Sequence, residues 1–351
     1  MKSIFFGIIT MLILLPLLSW SGISADKTIA AGNQPQISTD NKGIIRLVYG
    51  RGDKIFCATS LDKGASFSKP VLVAQVPEMH LGMSRGPQLA SSDDYSIITA
   101  IDKSGNIHWF KLDHSSVPWK NMGTINDLKG SAPEGLMSIA ADKKDNFYAV
   151  WLDTRTGKHN QIYFSSLSPK ASQWSKNILA YRSPDEHVCE CCQPHIAVQG
   201  KEVAIMFRNW LNGSRDLYLI RSLNGGVSFA TAQKLGGETW KLNGCPMDGG
   251  GIIIDGSNTI STTWQRKGVV YYCQPGLPEI YIGQGRTCSI TGAGSKTVLT
   301  YQNNDTLKLV ILKNKKTQTI GNGGFLKSAL LPGNKILCIW EQDNKIKYKN
   351  I

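Results

Sequence analysis

Two short stretches concentrate the residues able to do chemistry: His187-Val-Cys-Glu-Cys-Cys-Gln-Pro-His195 and Gly244-Cys245-Pro-Met-Asp-Gly-Gly250. Four of the eight cysteines lie in them, and each stretch immediately precedes an apolar run with the character of a buried strand. His187, Cys189, Cys191, Cys192, His195, Cys245 and Met247 make a set of soft ligands suited to copper or zinc, with His80 and Met83 as possible additions. In an oxidising compartment the same cysteines would be disulfides instead. Adjacent Cys191 and Cys192 bond each other only with strain, so one is expected on Cys245 and another on Cys189, unless all stay reduced on a metal. The spacing matches no standard zinc or c-type haem motif. Of the remaining cysteines, Cys57 and Cys338 are expected to approach one another, and Cys273 is a candidate partner for Cys288.

The elements that must position these stretches are strands. Apolar runs of four to eight residues are separated by Gly, Asn, Asp and Ser, glycine reaches 35 residues, and no segment keeps a helical period. The runs recur in pairs, among them Pro35-Gln-Ile37 with Leu47-Val-Tyr49, Pro194-His-Ile-Ala197 with Ile205-Met-Phe207, and Gly251 to Ile254 with Ser261-Thr-Thr-Trp264. A third run follows several pairs, and the spacing is roughly 40–57 residues per unit. This predicts an all-β chain folded as a single β-propeller of four-stranded blades. Seven units can be read; six blades plus an irregular segment is the alternative, because the last two units are short. The final unit stops after its third strand, and Thr28-Ile-Ala30 is placed to complete it and close the ring.

Ahead of the propeller, residues 26–351, stands a segment with the form of a secretory signal peptide, residues 1–25. Lys2 is its positive start, Ile4 to Leu18 its apolar core and Ile23-Ser-Ala25 its cleavage site. The apolar core is short for a membrane span, and no second long apolar run follows. A secreted or periplasmic protein without a stable membrane span is expected. Lys plus Arg exceed Asp plus Glu by 39 to 26, a net charge of +13 that favours anionic partners such as acidic glycans. No nucleic-acid motif accompanies this charge, so nucleic acid is not an expected partner.

Ser60-Leu-Asp-Lys-Gly-Ala-Ser-Phe67 and Ser222-Leu-Asn-Gly-Gly-Val-Ser-Phe229 follow the Asp-box pattern, and Ser166 to Trp174 is a degenerate copy. Asp or Asn would bond backbone amides, glycine would take a positive φ, and the final aromatic would tuck into the blade. With these repeats, Trp151-Leu-Asp-Thr-Arg155, Cys189-Glu-Cys-Cys192, Phe207-Arg-Asn209 and Cys245-Pro-Met-Asp-Gly-Gly250, the chain resembles the sialidase (bacterial neuraminidase repeat) superfamily over the whole mature length, and within it a secreted bacterial subgroup.

The resemblance implies exo-glycosidase chemistry on a terminal acidic sugar without a required cofactor. Sialidases clamp a carboxylate with three arginines and meet an oxocarbenium-like transition state with a tyrosine nucleophile and carboxylates. The usual Phe/Tyr-Arg-Ile/Leu-Pro tetrapeptide is absent here, so the clamp must come from elsewhere. Arg208, Arg266 and Arg286, from three successive units, are the candidates, with Arg85, Arg155, Glu190 and Trp210 as further substrate contacts. Glu134, Asp153 and Asp248 are candidate acids or bases, and Tyr271 or Tyr272 the nucleophile. The plainer reading makes Asp153 with Arg155, and Arg215 with Asp216, turn-forming ion pairs, and Gly249 to Gly251 an aid to close strand packing. A functional alternative is a non-catalytic propeller that binds a soft metal, or docks a partner, through its Cys/His/Met cluster.

Overall fold

The computed structural model describes residues 26–116, 118–292 and 294–351; the expected signal peptide lies outside them. They form seven four-stranded antiparallel sheets, each built in chain order from the channel outward. Blades one to six occupy residues 33–75, 88–124, 137–181, 195–234, 251–284 and 286–322. The seventh takes three strands from 324–350 and its outermost from Lys27–Ala31, which pairs with Lys345–Asn350. The ring is thus closed by Lys27–Ala31, as the truncated last repeat implied. Six blades are excluded: the sixth unit is short because its turns are tight, and the seventh because its fourth strand comes from the other end of the chain. No helix among the described residues is long and apolar enough to cross a membrane.

The hydrophobic core is divided into wedges between blades. Second strands such as Phe147–Asp153, Glu202–Arg208 and Ile260–Arg266 are buried along their whole length, because neighbouring blades cover both faces and leave no solvent side to alternate toward. One wedge joins Val150, Leu152 and Phe164 of blade three to Val203, Ile205 and Phe207 of blade four. Another joins Leu47 and Tyr49 of blade one to Leu337 and Ile339 of blade seven.

The Ser-x-Asp/Asn turns stabilise these wedges from outside. Asp62 Oδ1 accepts the Ser66 N–H at 2.9 Å and Ser60 Oγ accepts that of Gly64 at 2.8 Å; Asn224 and Ser222 repeat the arrangement. The closing aromatics cross to the preceding blade instead of tucking into their own. Phe67 meets Tyr348 edge-on at 5.1 Å, Phe229 meets Phe164 at 5.2 Å and Trp174 meets Trp109 at 5.9 Å.

Candidate functional site

The loops that lead into inner strands and those that leave second strands share one face of the ring. A cavity of ≈ 710 Å³ opens there, its wall including Met83, Met247, Arg286, Thr287, Asp305 and Phe325. Directly below is a narrow space of ≈ 20 Å³ against Gln193, His195, Asp248, Cys288 and Lys327. The opposite face has a cavity of ≈ 680 Å³ among hairpin turns that carry Lys143, Lys144 and Lys201. The mouth is the stronger candidate because buried ionisable groups lie immediately beneath it.

Its backbone is also unusual. Gln34, Thr287 and Phe325, each the second residue of an inner strand, and Ser84 and Met247, each shortly before one, all have left-handed φ values between 48° and 67°. The ladder slips at three of these entrances, between Asn33 and Gln36, Arg286 and Ser289, and Gly324 and Lys327. Such conformations cost non-glycine residues about 1–3 kcal/mol when strained and concentrate at ligand clamps and active sites. Asp248 fixes one of them: its Oδ2 accepts the Thr287 N–H at 2.7 Å, and its Oδ1 accepts that of Gly250 at 3.1 Å. Gly249 between them must lack a side chain, since a Cβ there would meet the Gln193 carbonyl oxygen at 1.9 Å.

Asp248 is only 4% exposed. Burial raises its pKa above the ordinary carboxylate value, against the opposing pull of Arg208 and the two amides. Burial likewise lowers the Lys327 pKa, and it depresses His195 to about 3 with a smaller contribution from Lys327. The His195 imidazole is therefore neutral in the folded protein, whereas in the unfolded chain it takes a proton below about pH 6.5. The unfolded state binds more protons in that window, so stability is kept above pH 6.5 and lost as pH falls toward 3. His195→Gln should flatten the dependence of melting temperature on pH between those limits. An acid slope identical to that of the unsubstituted protein would refute the assignment.

Of the eight cysteines, Cys191 and Cys245 form a disulfide that ties the entrance loop of blade four to that of blade five. The other six are thiols. Cys57 and Cys338 do not bond, because Cys57 packs into the wedge between blades one and two while Cys338 packs between blades six and seven. Cys273 and Cys288 are likewise on opposite sides of blade five. Cys189 is in hydrogen-bond range of the Cys192 sulfur at 3.3 Å and of the Cys191 sulfur at 3.7 Å, with no disulfide to either. The Cys192 hydrogen bond, helped by Arg215 at 3.0 Å, holds the Cys189 thiol at about 6, while burial drives Cys192 upward. The expected soft-ligand set is divided: Cys191 and Cys245 occupy each other, and His195 lines the channel. Opening the 54-residue disulfide loop by Cys245→Ser should cost about 2–4 kcal/mol. Melting with and without reductant checks this, and equal midpoints would contradict it.

The charged candidates separate into a rim and a foundation. Asp153 is wholly buried and accepts bonds from Ser131 Oγ at 2.7 Å, Trp151 Nε1 at 2.8 Å and three Arg155 nitrogens. It anchors a loop, as the plainer reading held. Arg215 and Asp216, in contrast, do not pair: Arg215 overlies Trp210, and Asp216 holds Lys234 at 3.2 Å and the Trp240 N–H at 2.7 Å.

Two arms of the expected clamp are engaged elsewhere. Arg208, 1% exposed, donates to the carbonyls of Asp248, Arg215 and Gln265 at 3.2, 2.6 and 2.9 Å. Arg266 is held by Glu279 and Glu238 above the Tyr271 ring. Arg286 remains exposed on the cavity wall. Arg85 pairs with Glu134 at 3.3 Å, and the Tyr272 hydroxyl is taken by Ser261 at 2.9 Å.

No protein-family model and no curated protein sequence matches the chain. Solved structures do. A lectin from Burkholderia pseudomallei shares 9% identity at a TM-score of 0.65, covering 93% of this chain and 96% of its own. A Penicillium chrysogenum α-L-arabinanase with arabinobiose shares 11% at 0.54, covering 94% and 98%. A leech intramolecular trans-sialidase with 2,7-anhydro-Neu5Ac shares 10% at 0.52, covering 91% and 68%. At such identities the likeness is one of fold.

Two residues at this face were not singled out by sequence. Lys327 enters the channel from blade seven, and His159 stands on the rim at 3.0 Å from Glu190. Neither lies in a motif. The rarity of histidine, six in the chain, was the one available hint for His159.

Proposed function

We propose that this chain is a carbohydrate-binding propeller that takes a terminal acidic sugar at the channel mouth, with Arg286 as the anion contact and Asp248 as the general acid of an exo-glycosidase. The observation that carries the reading is Asp248, a carboxyl with its pKa raised by burial, beneath a cavity whose wall presents an exposed arginine. A carboxyl with a raised pKa holds its proton more readily and is suited to donating it to a departing glycosidic oxygen. Asp305, on the same cavity wall, is the candidate second carboxylate. The lectin, the arabinanase and the trans-sialidase that share the fold support a sugar as the ligand, and a cross-loop disulfide agrees with a secreted or periplasmic setting.

The test is calorimetric binding and turnover of fluorogenic sialosides and uronides by the mature chain, Arg286→Ala and Asp248→Asn. Arg286→Ala should weaken acidic-sugar binding by about 1.5–3 kcal/mol and leave neutral sugars unaffected. Asp248→Asn should lower turnover by about 10²–10⁴-fold. Binding without turnover in the unsubstituted protein would make it a sugar-binding propeller; failure to bind any acidic sugar would sink the reading.

A further inference from the structure

We propose that His159, His187 and Glu190 form a binding site for a divalent transition-metal ion of the zinc type on the rim of the mouth, separate from the cysteines and from the channel. One ligand atom from each of the three lies within 4.8 Å of the others. His159 Nδ1 and Glu190 Oε1 are already 3.0 Å apart. Nitrogen and oxygen ligands about 2.0–2.2 Å from one ion stand about 3–3.5 Å from each other. The side chains of His159 and Glu190 are half exposed, at 50% and 42%, so small rotations complete the approach.

The surroundings prepare the site. His187 Nδ1 lies 3.2 Å from the Val188 carbonyl oxygen. A carbonyl only accepts, so Nδ1 carries the proton and Nε2 keeps the lone pair that a metal requires; this backbone partner is the usual support of a ligating imidazole. The His187 ring is stacked on Trp210 at 5.5 Å, and Trp210 lies under Arg215 at 4.6 Å.

The two loops that carry the ligands are joined beside them. Val188 N–H donates to the Asn160 carbonyl at 3.0 Å, and Cys189 N–H to that of Arg208 at 2.9 Å. The Cys191–Cys245 disulfide then fixes the far side of the Glu190 turn. Two imidazoles and one carboxylate suit zinc, nickel, copper(II) or iron(II), in preference to calcium or magnesium. Three protein ligands at an exposed rim leave coordination positions open to solvent, the arrangement of a reactive or exchangeable site in place of a closed structural one.

The experiment is zinc titration of the untagged mature chain by calorimetry, beside His159→Ala, Glu190→Gln and Cys189→Ser, each confirmed folded by circular dichroism. A cobalt-loaded sample reports the donor atoms. One zinc equivalent is expected, weakened about 100-fold by His159→Ala and at least about tenfold by Glu190→Gln, and unchanged by Cys189→Ser. The cobalt spectrum should lack a thiolate charge-transfer band. Absence of zinc binding, affinity indifferent to the histidine and glutamate variants, or a thiolate band lost in Cys189→Ser would each overturn the assignment.

Discussion

Arg208→Ala is expected to lower the free energy of unfolding by about 3–5 kcal/mol, because it removes a buried donor shared by three backbone carbonyls. Arg208 leaves the second strand of blade four, and its guanidinium reaches carbonyls on its own loop, on the entrance loop of blade five and at the end of blade five's second strand. Truncation would leave three buried acceptors without donors, each of which costs about 1–3 kcal/mol. Arg208→Lys should recover little, because one ammonium cannot reproduce a planar fork aimed at three separate oxygens. Urea denaturation with constant m-value is the measurement. A loss below about 1 kcal/mol would show that solvent or a rearranged loop satisfies these carbonyls. The experiment also bears on the expected clamp: weaker sugar binding by this variant would reflect a collapsed mouth, which is why exposed Arg286 is the cleaner probe of ligand contact.

Deleting residues 26–31 should be at least as damaging, about 5 kcal/mol, and should promote self-association. Lys27–Ala31 supplies the fourth strand of blade seven. Its removal takes away a ladder that pairs Lys27 with Tyr348 and Ala31 with Lys345, together with the Ile29 and Ala30 packing against the wedge between blades seven and one. Each lost backbone bond contributes about 0.5–1.5 kcal/mol, and burial of Ile29 adds on the order of 1–2 kcal/mol. The exposed edge of Lys345–Asn350 would then be open to pairing with another chain. Light scattering and urea midpoints test both parts. A truncated chain of unchanged association state and equal stability would mean that closure depends on the wedge alone.

The repeat was legible because a blade is a local object. Hydrophobic runs separated by turn residues determine each sheet without reference to distant parts of the chain, and the missing last strand pointed to Thr28-Ile-Ala30 by the need to pair an edge. The turns at Ser60 and Ser222 were likewise legible, since their hydrogen bonds span only a few residues. Where their aromatics went was not: Phe67 and Phe229 pack on the preceding blade, a relation between blades that no single repeat encodes.

The candidate site divides along the same line. By sequence alone, the propeller plan, its direction of closure and the concentration of reactive types at His187–His195 and Cys245–Asp248 were determined. Only the tertiary structure decided which side of each sheet a cysteine faced, and so why Cys57 misses Cys338 and Cys273 misses Cys288. It also turned Arg208 inward onto carbonyls, left Arg286 outward, and placed His159 beside Glu190. The physical reason is that strand formation follows from residues within one hairpin, whereas burial, charge pairing and ligand convergence arise between loops of neighbouring blades, where spacing along the chain says little about distance.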